Sequence, residues 1–195
     1  SPNVIANITA NSATTLELTG SQDLEIEEVI GAGGLAKVTT VSGGAVDGEL
    51  TLTLDGTTIE SVVLGDGGDD VTIDDVLDAN AEVSTGDGND DVTINFMVDS
   101  GTVNTGAGAD DIVLNVSLAA DETIDGGAGS NDEITLNATV NLGAVTDVEI
   151  VNIQAAATVD FDNFTGVTDV NILTTGAVVV DKLVTSEVDT IIGAD

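Results

Sequence analysis

The chain of 195 residues contains no cysteine, histidine, arginine, tyrosine or tryptophan, and a single proline, Pro2. Without cysteine there are no disulfides and no thiolate metal sites. Without histidine, arginine or cysteine the usual general base, the bidentate anion clamp and the thiol nucleophile are all missing. Carboxylates remain, but carboxylate pairs that cleave glycosides work beside aromatic or basic groups that hold the sugar. The expectation is a protein without catalysis. Positive charge is nearly absent as well: Lys37 and Lys182 stand against 36 acidic residues, for a formal charge of -34. Nucleic acid and anionic membrane surfaces are therefore not expected as partners, and cations are expected. No apolar run is long enough to span a bilayer, so no membrane insertion is expected. The aromatic content is three phenylalanines, Phe96, Phe161 and Phe164.

What is present contradicts disorder. Hydrophobic residues make up 42% of the chain, which is too many for an unfolded polyanion. They are Val, Ile, Leu and Ala, side chains that suit thin, regularly layered β-structure. Three segments repeat: Gly65-Asp-Gly-Gly-Asp-Asp-Val-Thr-Ile73, Gly86-Asp-Gly-Asn-Asp-Asp-Val-Thr-Ile94 and Gly106-Ala-Gly-Ala-Asp-Asp-Ile-Val-Leu114, at steps of 21 and 20 residues. A fourth copy, Gly127-Ala-Gly-Ser-Asn-Asp-Glu-Ile-Thr-Leu136, follows 21 residues later with one residue inserted in its turn. A fixed period near 20 predicts an all-β, parallel β-solenoid, a β-roll or β-helix with coils of about 20 residues.

The alignment extends past the turns. Val71, Val92, Ile112 and Ile134 form one apolar column and Ile73, Ile94, Leu114 and Leu136 a second; Thr72, Thr93, Val113 and Thr135 alternate with them on the opposite face. A third column is Leu77, Val98, Leu118 and Val140, and a fourth is Val83, Val103, Ile124 and Val145. Asp74, Asn95, Asn115 and Asn137 mark a second corner. Less regular coils are expected on both sides, at Leu52-Thr-Leu-Asp55, Val159-Asp-Phe-Asp162 and Val178-Val-Val-Asp181. The whole of 1–195 then forms one solenoid domain, with regular coils over 64–136 flanked by 1–63 and 137–195. Roughly nine coils at a strand spacing of about 4.8 Å would make a rod of about 45 Å.

The turns place Asp69, Asp90, Asp110 and Asp132 in one column and Asp70, Asp91, Asp111 and Glu133 in the next. Stacked coils bring the carboxylates of a column to about 5 Å. At that distance each pair repels by about 1 kcal/mol in water and several times more near protein. A divalent ion between coils removes the conflict, and Ca2+ takes six to eight oxygens, which carboxylates and glycine-loop carbonyls supply. A plainer reading makes the aspartates turn-formers on a solvated edge.

Gly86-Asp-Gly-Asn-Asp-Asp-Val-Thr resembles the glycine-rich nonapeptide of RTX (repeats-in-toxin) proteins, whose parallel β-roll binds calcium between turns, and the copies at Gly65 and Gly106 match nearly as well. The resemblance covers about residues 64 to 136, with the nonapeptide once per coil rather than at both corners. It implies metal ligation by Asp69, Asp90 and Asp110 with carbonyls around Gly65, Gly67, Gly86, Gly88, Gly106 and Gly108. The remaining candidate ligands are Asp66, Asp70, Asp87, Asp91, Asp111 and Asp132. Val145-Thr-Asp-Val-Glu-Ile-Val-Asn-Ile153 and Val167-Thr-Asp-Val-Asn-Ile172 are similar to segments of calcium-dependent bacterial surface-layer proteins.

Two function classes follow: a calcium-binding structural subunit of an extracellular assembly, whether surface layer or fibre, and a calcium-binding module of a secreted adhesin or accessory module of a secreted enzyme. In the first, the chain's partner is itself. Val4-Ile-Ala-Asn-Ile-Thr9, Thr15-Leu-Glu-Leu-Thr19 and Val188-Asp-Thr-Ile-Ile192 read as strands whose open edges invite addition of another copy. The opening Ser1-Pro2, with the one methionine internal at Met97, is expected of a processed start.

Overall fold

A computed structural model describes residues 1–27, 30–55, 59–74, 78–96, 100–139, 143–155, 158–183 and 190–193. The chain is an all-β solenoid of stacked coils of about 21 residues, and among the described residues every pairing between strands is parallel. Ten strands form the first sheet: Asn3–Ile5, Leu24–Ile26, Leu50–Leu54, Asp70–Ile73, Asp91–Ile94, Asp111–Leu114, Glu133–Leu136, Ile150–Ile153, Asp169–Ile172 and Thr190–Gly193. Seven strands form a second sheet on the other side of the coil, from Thr15–Gly20 to Ala144–Thr146. Thr158–Asp160 and Val179–Asp181 pair as a separate two-stranded sheet.

Alternation builds this architecture. In the first sheet Val71, Val92, Ile112 and Ile134 pair in register, as do Ile73, Ile94, Leu114 and Leu136, and all eight are buried. Opposite them Val83, Val103, Ile124 and Val145 are buried and in register in the second sheet. Branched aliphatics stacked on copies of themselves fill the narrow core of these coils, and each such side chain removed from water stabilises the fold by about 1.5–3 kcal/mol. Of the third column only Leu118 is described, and it is buried; Leu77, Val98 and Val140 lie outside the described residues. The second corner is an amide ladder: Asn95 donates to Asp74 at 2.7 Å, Asn115 to Asn95 at 2.7 Å and Asn137 to Asn115 at 2.8 Å.

The flanking coils at Leu52, Val159 and Val180 do not share one phase. Leu52 pairs with Val71 in the first sheet, as its pattern suggests. Val159 and Val180 pair with each other in the separate two-stranded sheet, and the first sheet continues instead through Ile150–Ile153 and Asp169–Ile172. Apolar-x-apolar-Asp describes any strand leaving the core, so without a glycine turn to set the phase it does not tell one side of the coil from the other. Phe161 and Phe164 pack ring to ring at 4.8 Å where the second sheet ends, and Phe164 bridges to Val145. At the start of the chain the strands are Asn3–Ile5 and Thr15–Gly20; at its end the strand begins at Thr190, and Val188 and Asp189 lie outside the described residues. Among the described residues no helix is long and apolar enough to cross a membrane.

Candidate metal centre

The alternation that points Ile73 and Val71 inward continues one step back to Asp69, and the same holds for Asp90, Asp110 and Asp132. These four aspartates are not on a solvated edge: they are 1%, 0%, 1% and 0% exposed. Asp70, Asp91, Asp111 and Glu133, one residue further on, form a parallel file on the outer face, paired strand to strand. Asp66 and Asp87, in the turns, are exposed.

Each buried aspartate caps the coil before it. Leu50 N–H donates to Asp69 Oδ1 at 2.8 Å, Asp69 N–H to Asp90 Oδ1 at 2.7 Å, Asp90 N–H to Asp110 Oδ1 at 2.8 Å and Asp110 N–H to Asp132 Oδ1 at 2.9 Å. This ladder satisfies one oxygen of every carboxylate and one N–H that the turn leaves out of the sheet. It leaves the second oxygens. Among the described residues Oδ2 of Asp69, Asp110 and Asp132 is buried with no hydrogen-bond partner, whereas Asp90 Oδ2 lies 2.5 Å from the Thr85 hydroxyl. Thr85 and Thr105 are buried and occupy matching places, five residues before Asp90 and Asp110; the matching place before Asp69 holds Leu64.

The glycines have a reason that needs no ion. A Cβ on Gly86 would sit 2.1 Å from Gly65 O, on Gly106 1.8 Å from Gly86 O, on Gly88 2.0 Å from Gly67 O and on Gly108 1.5 Å from Gly88 O. The turns therefore stack backbone on backbone in two files. In the first file the carbonyls are used: Asp87 N–H donates to Gly65 O and Ala107 N–H to Gly86 O. In the second, among the described residues, no N–H donates to the carbonyls of Gly67, Gly88 or Gly108. Replacing Gly108 by alanine is expected to destabilise the chain by more than the roughly 1–3 kcal/mol of ordinary overpacking, because the new atom meets backbone on one side and Asp110 Oδ1 at 2.9 Å on the other. Gly44→Ala, whose Cβ meets nothing closer than 3.6 Å, is the control in a denaturant titration.

Burial pushes Asp69 up to about 7, against hydrogen bonds from Leu50 and Gly65 that hold it down and with added repulsion from Asp90 and Glu49. Asp90, Asp110 and Asp132 are raised too, burial being the largest cause in each. On the outer face burial, followed by repulsion from Asp91, raises Asp70 and Asp111. Neither lysine relieves the buried file: Lys182 is bonded to Asp160 at 2.9 Å and to Asp162 at 3.0 Å, and Lys37 is an exposed residue of the N-terminal coils.

At Gly108 the Asp110 carboxylate, and at Gly129 the Asp132 carboxylate, packs beside a carbonyl that takes no donor among the described residues, and such oxygens together are the hard, oxygen-only set that Ca2+ takes. Among the described residues no three carboxylates converge closely enough to hold a metal by themselves, so an ion here would be shared between aspartate oxygens and the glycine carbonyls of the neighbouring coil. The fit is to a mixed site.

Compared with known protein families, with curated proteins and with solved structures, the chain has no match. The site is therefore read from its own geometry. That geometry adds residues that the turn motif alone did not single out. Glu149 accepts Asp132 N–H at 2.9 Å and so continues the ladder where the glycine turns have ended. The alternation of Glu149, Val151 and Ile153 carried the signal for it. At the other end the ladder stops at Leu50, a buried aliphatic one residue before Thr51, the partner of Asp70. Leu50 and Glu149 thus bound the ladder of buried aspartates.

Proposed function

We propose that this chain is a calcium-binding structural protein, non-catalytic, whose coils from Asp69 to Asp132 are held together by ions between successive turns. The observation that carries this reading is the set of buried Oδ2 atoms of Asp69, Asp110 and Asp132 that have no hydrogen-bond partner of normal geometry among the described residues. Removing a carboxylate from water without a partner is among the most costly things a fold can do, and two lysines cannot balance 36 acids. The ligands would be the Asp69, Asp90 and Asp110 carboxylates with the carbonyls of Gly67 and Gly88 along the regular turns, and Asp132 with the carbonyl of Gly108 where the file ends. When bound, the ion supplies positive charge that cancels repulsion along the file. The protein's part is to hold the carboxylates in register and to exclude water. Asp66 and Asp87, exposed in the turns, would add outer negative charge.

Oxygen-ligand sites of extracellular modules bind calcium at about 0.1–1 mM, a supply found outside cells. Work at the cell surface or in the medium follows, and with it self-assembly as a lattice or fibre subunit, since calcium that neutralises part of a charge of -34 also lets copies approach. The purified chain is expected to sediment as a monomer in chelator and as large ordered polymers in millimolar calcium. A monomer under both conditions would instead favour the role of an adhesin module or accessory module, with the ion sites retained. Recovery of the protein from cytoplasm alone would contradict the extracellular reading.

A further inference from the structure

The ladder does not end where the nonapeptide turns end. Asp132, in the irregular fourth turn, is fully buried, and its Oδ2 has no partner. A Cβ on Gly129 would lie 3.1 Å from that oxygen and 2.0 Å from Gly108 O, so the Asp132 carboxylate and the Gly108 carbonyl both pack against this glycine. From the next coil Glu149 reaches back 17 residues, and its Oε2 accepts Asp132 N–H at 2.9 Å. No described hydrogen bond uses the other Glu149 oxygen. Asp147, held at φ 50, presses its backbone toward the same corner: its carbonyl would be 2.2 Å from a Cβ on Gly126, and that Cβ would be 3.2 Å from Asp132 Cβ. Negative charge from Asp110, Glu149 and Asp147 acts together on Asp132. The nearest thing to a protein countercharge toward this end of the rod, Lys182, is committed to Asp160 and Asp162.

The geometry points to a terminal cation site of different make from the regular turns, in which Glu149 stands where those turns would place an aspartate and joins Asp132 and the carbonyl of Gly108 around one divalent ion. It rests on the calcium reading above and deepens it. Glu149 lies outside any glycine-rich repeat; its longer side chain spans to the turn below from a coil that has only Thr146-Asp-Val-Glu149 before its strand. The site closes the ion file at its C-terminal end, as Leu50 closes it at the other.

Glu149→Gln tests this, because a glutamine carbonyl still accepts Asp132 N–H while the charge is gone; Asp132→Asn does the same one rung lower. Full-length wild type and both variants are dialysed against millimolar calcium, and bound calcium per chain is counted by atomic absorption, with melting in calcium-free buffer as the check on folding. Each variant is expected to bind one ion fewer than wild type and, without calcium, to melt no lower than wild type. A residue with a merely structural role would lower melting in both conditions and leave the count unchanged. An unchanged count for Glu149→Gln overturns the terminal site while leaving the regular turns standing. Wild type that binds no calcium overturns both.

Discussion

Removing calcium from the purified chain is expected to lower its melting temperature by about 8–16 °C. If three inter-coil sites are each about tenfold above their dissociation constant, linkage contributes about 1.4 kcal/mol per site and roughly 4 kcal/mol together. In a domain of this size each kcal/mol moves the midpoint by about 2–4 °C. The loss is not spread evenly. The polar stretch of the core runs from Asp69 to Glu149, whereas the coils before it are packed with aliphatics alone: Ile30, Leu35, Val38, Leu50, Leu52, Leu54 and Ile59 are all buried. Amide exchange is therefore expected to accelerate over residues 64–136 in chelator and to stay slow in the strand Leu50–Leu54. A melting curve identical with and without chelator, or exchange that accelerates equally in both regions, would contradict this distribution of ion dependence.

The second large effect is an inverted response to acid. Most proteins lose stability as their carboxylates are protonated. Here burial raises Asp69 from 3.8 to about 7, and its neighbours along the file are raised as well. A carboxyl whose folded value lies above its unfolded value binds its proton more tightly in the fold. Its contribution is complete below the unfolded value near 4 and disappears as pH climbs through 7. At about 1.4 kcal/mol per unit, Asp69 alone accounts for at most about 4 kcal/mol. The metal-free chain is thus expected to melt well above its pH 8.5 midpoint when held at pH 5, a proton serving where an ion would. Saturating calcium is expected to abolish the difference, the ion replacing the proton and keeping the carboxylates charged. Thermal melts of calcium-free protein from pH 5 to 8.5 check this; stability that rises with pH in that range would contradict it.

Much of this was legible in the residues. The period of the Gly65, Gly86 and Gly106 turns sets the first-sheet register, and the apolar columns at Val71 and Val83 fall on the two sides of the coil as the alternation demands. The buried position of Asp69 was legible too, two steps behind Ile73 and Val71, although aspartate in a glycine turn reads first as an exposed turn-former. Two things were not. Which side of the coil Val159 and Val180 join depends on how the chain rounds the corners near Phe161, where no glycine turn marks the phase. The pairing of each carboxylate with the N–H of the preceding coil depends on stacking distance, which no single turn encodes. That pairing separates what the glycines and Oδ1 atoms do for the fold from what the Oδ2 atoms leave over.

Diffraction from crystals grown in calcium, recorded at a wavelength where calcium scatters anomalously, tests the central claim most directly. The account predicts anomalous peaks between successive turns, about 2.3–2.6 Å from Oδ2 of Asp69 and Asp110 and within reach of the Gly88 carbonyl. Crystals in millimolar calcium with no peak along the file, and the aspartates bonded only to backbone N–H groups, would contradict it.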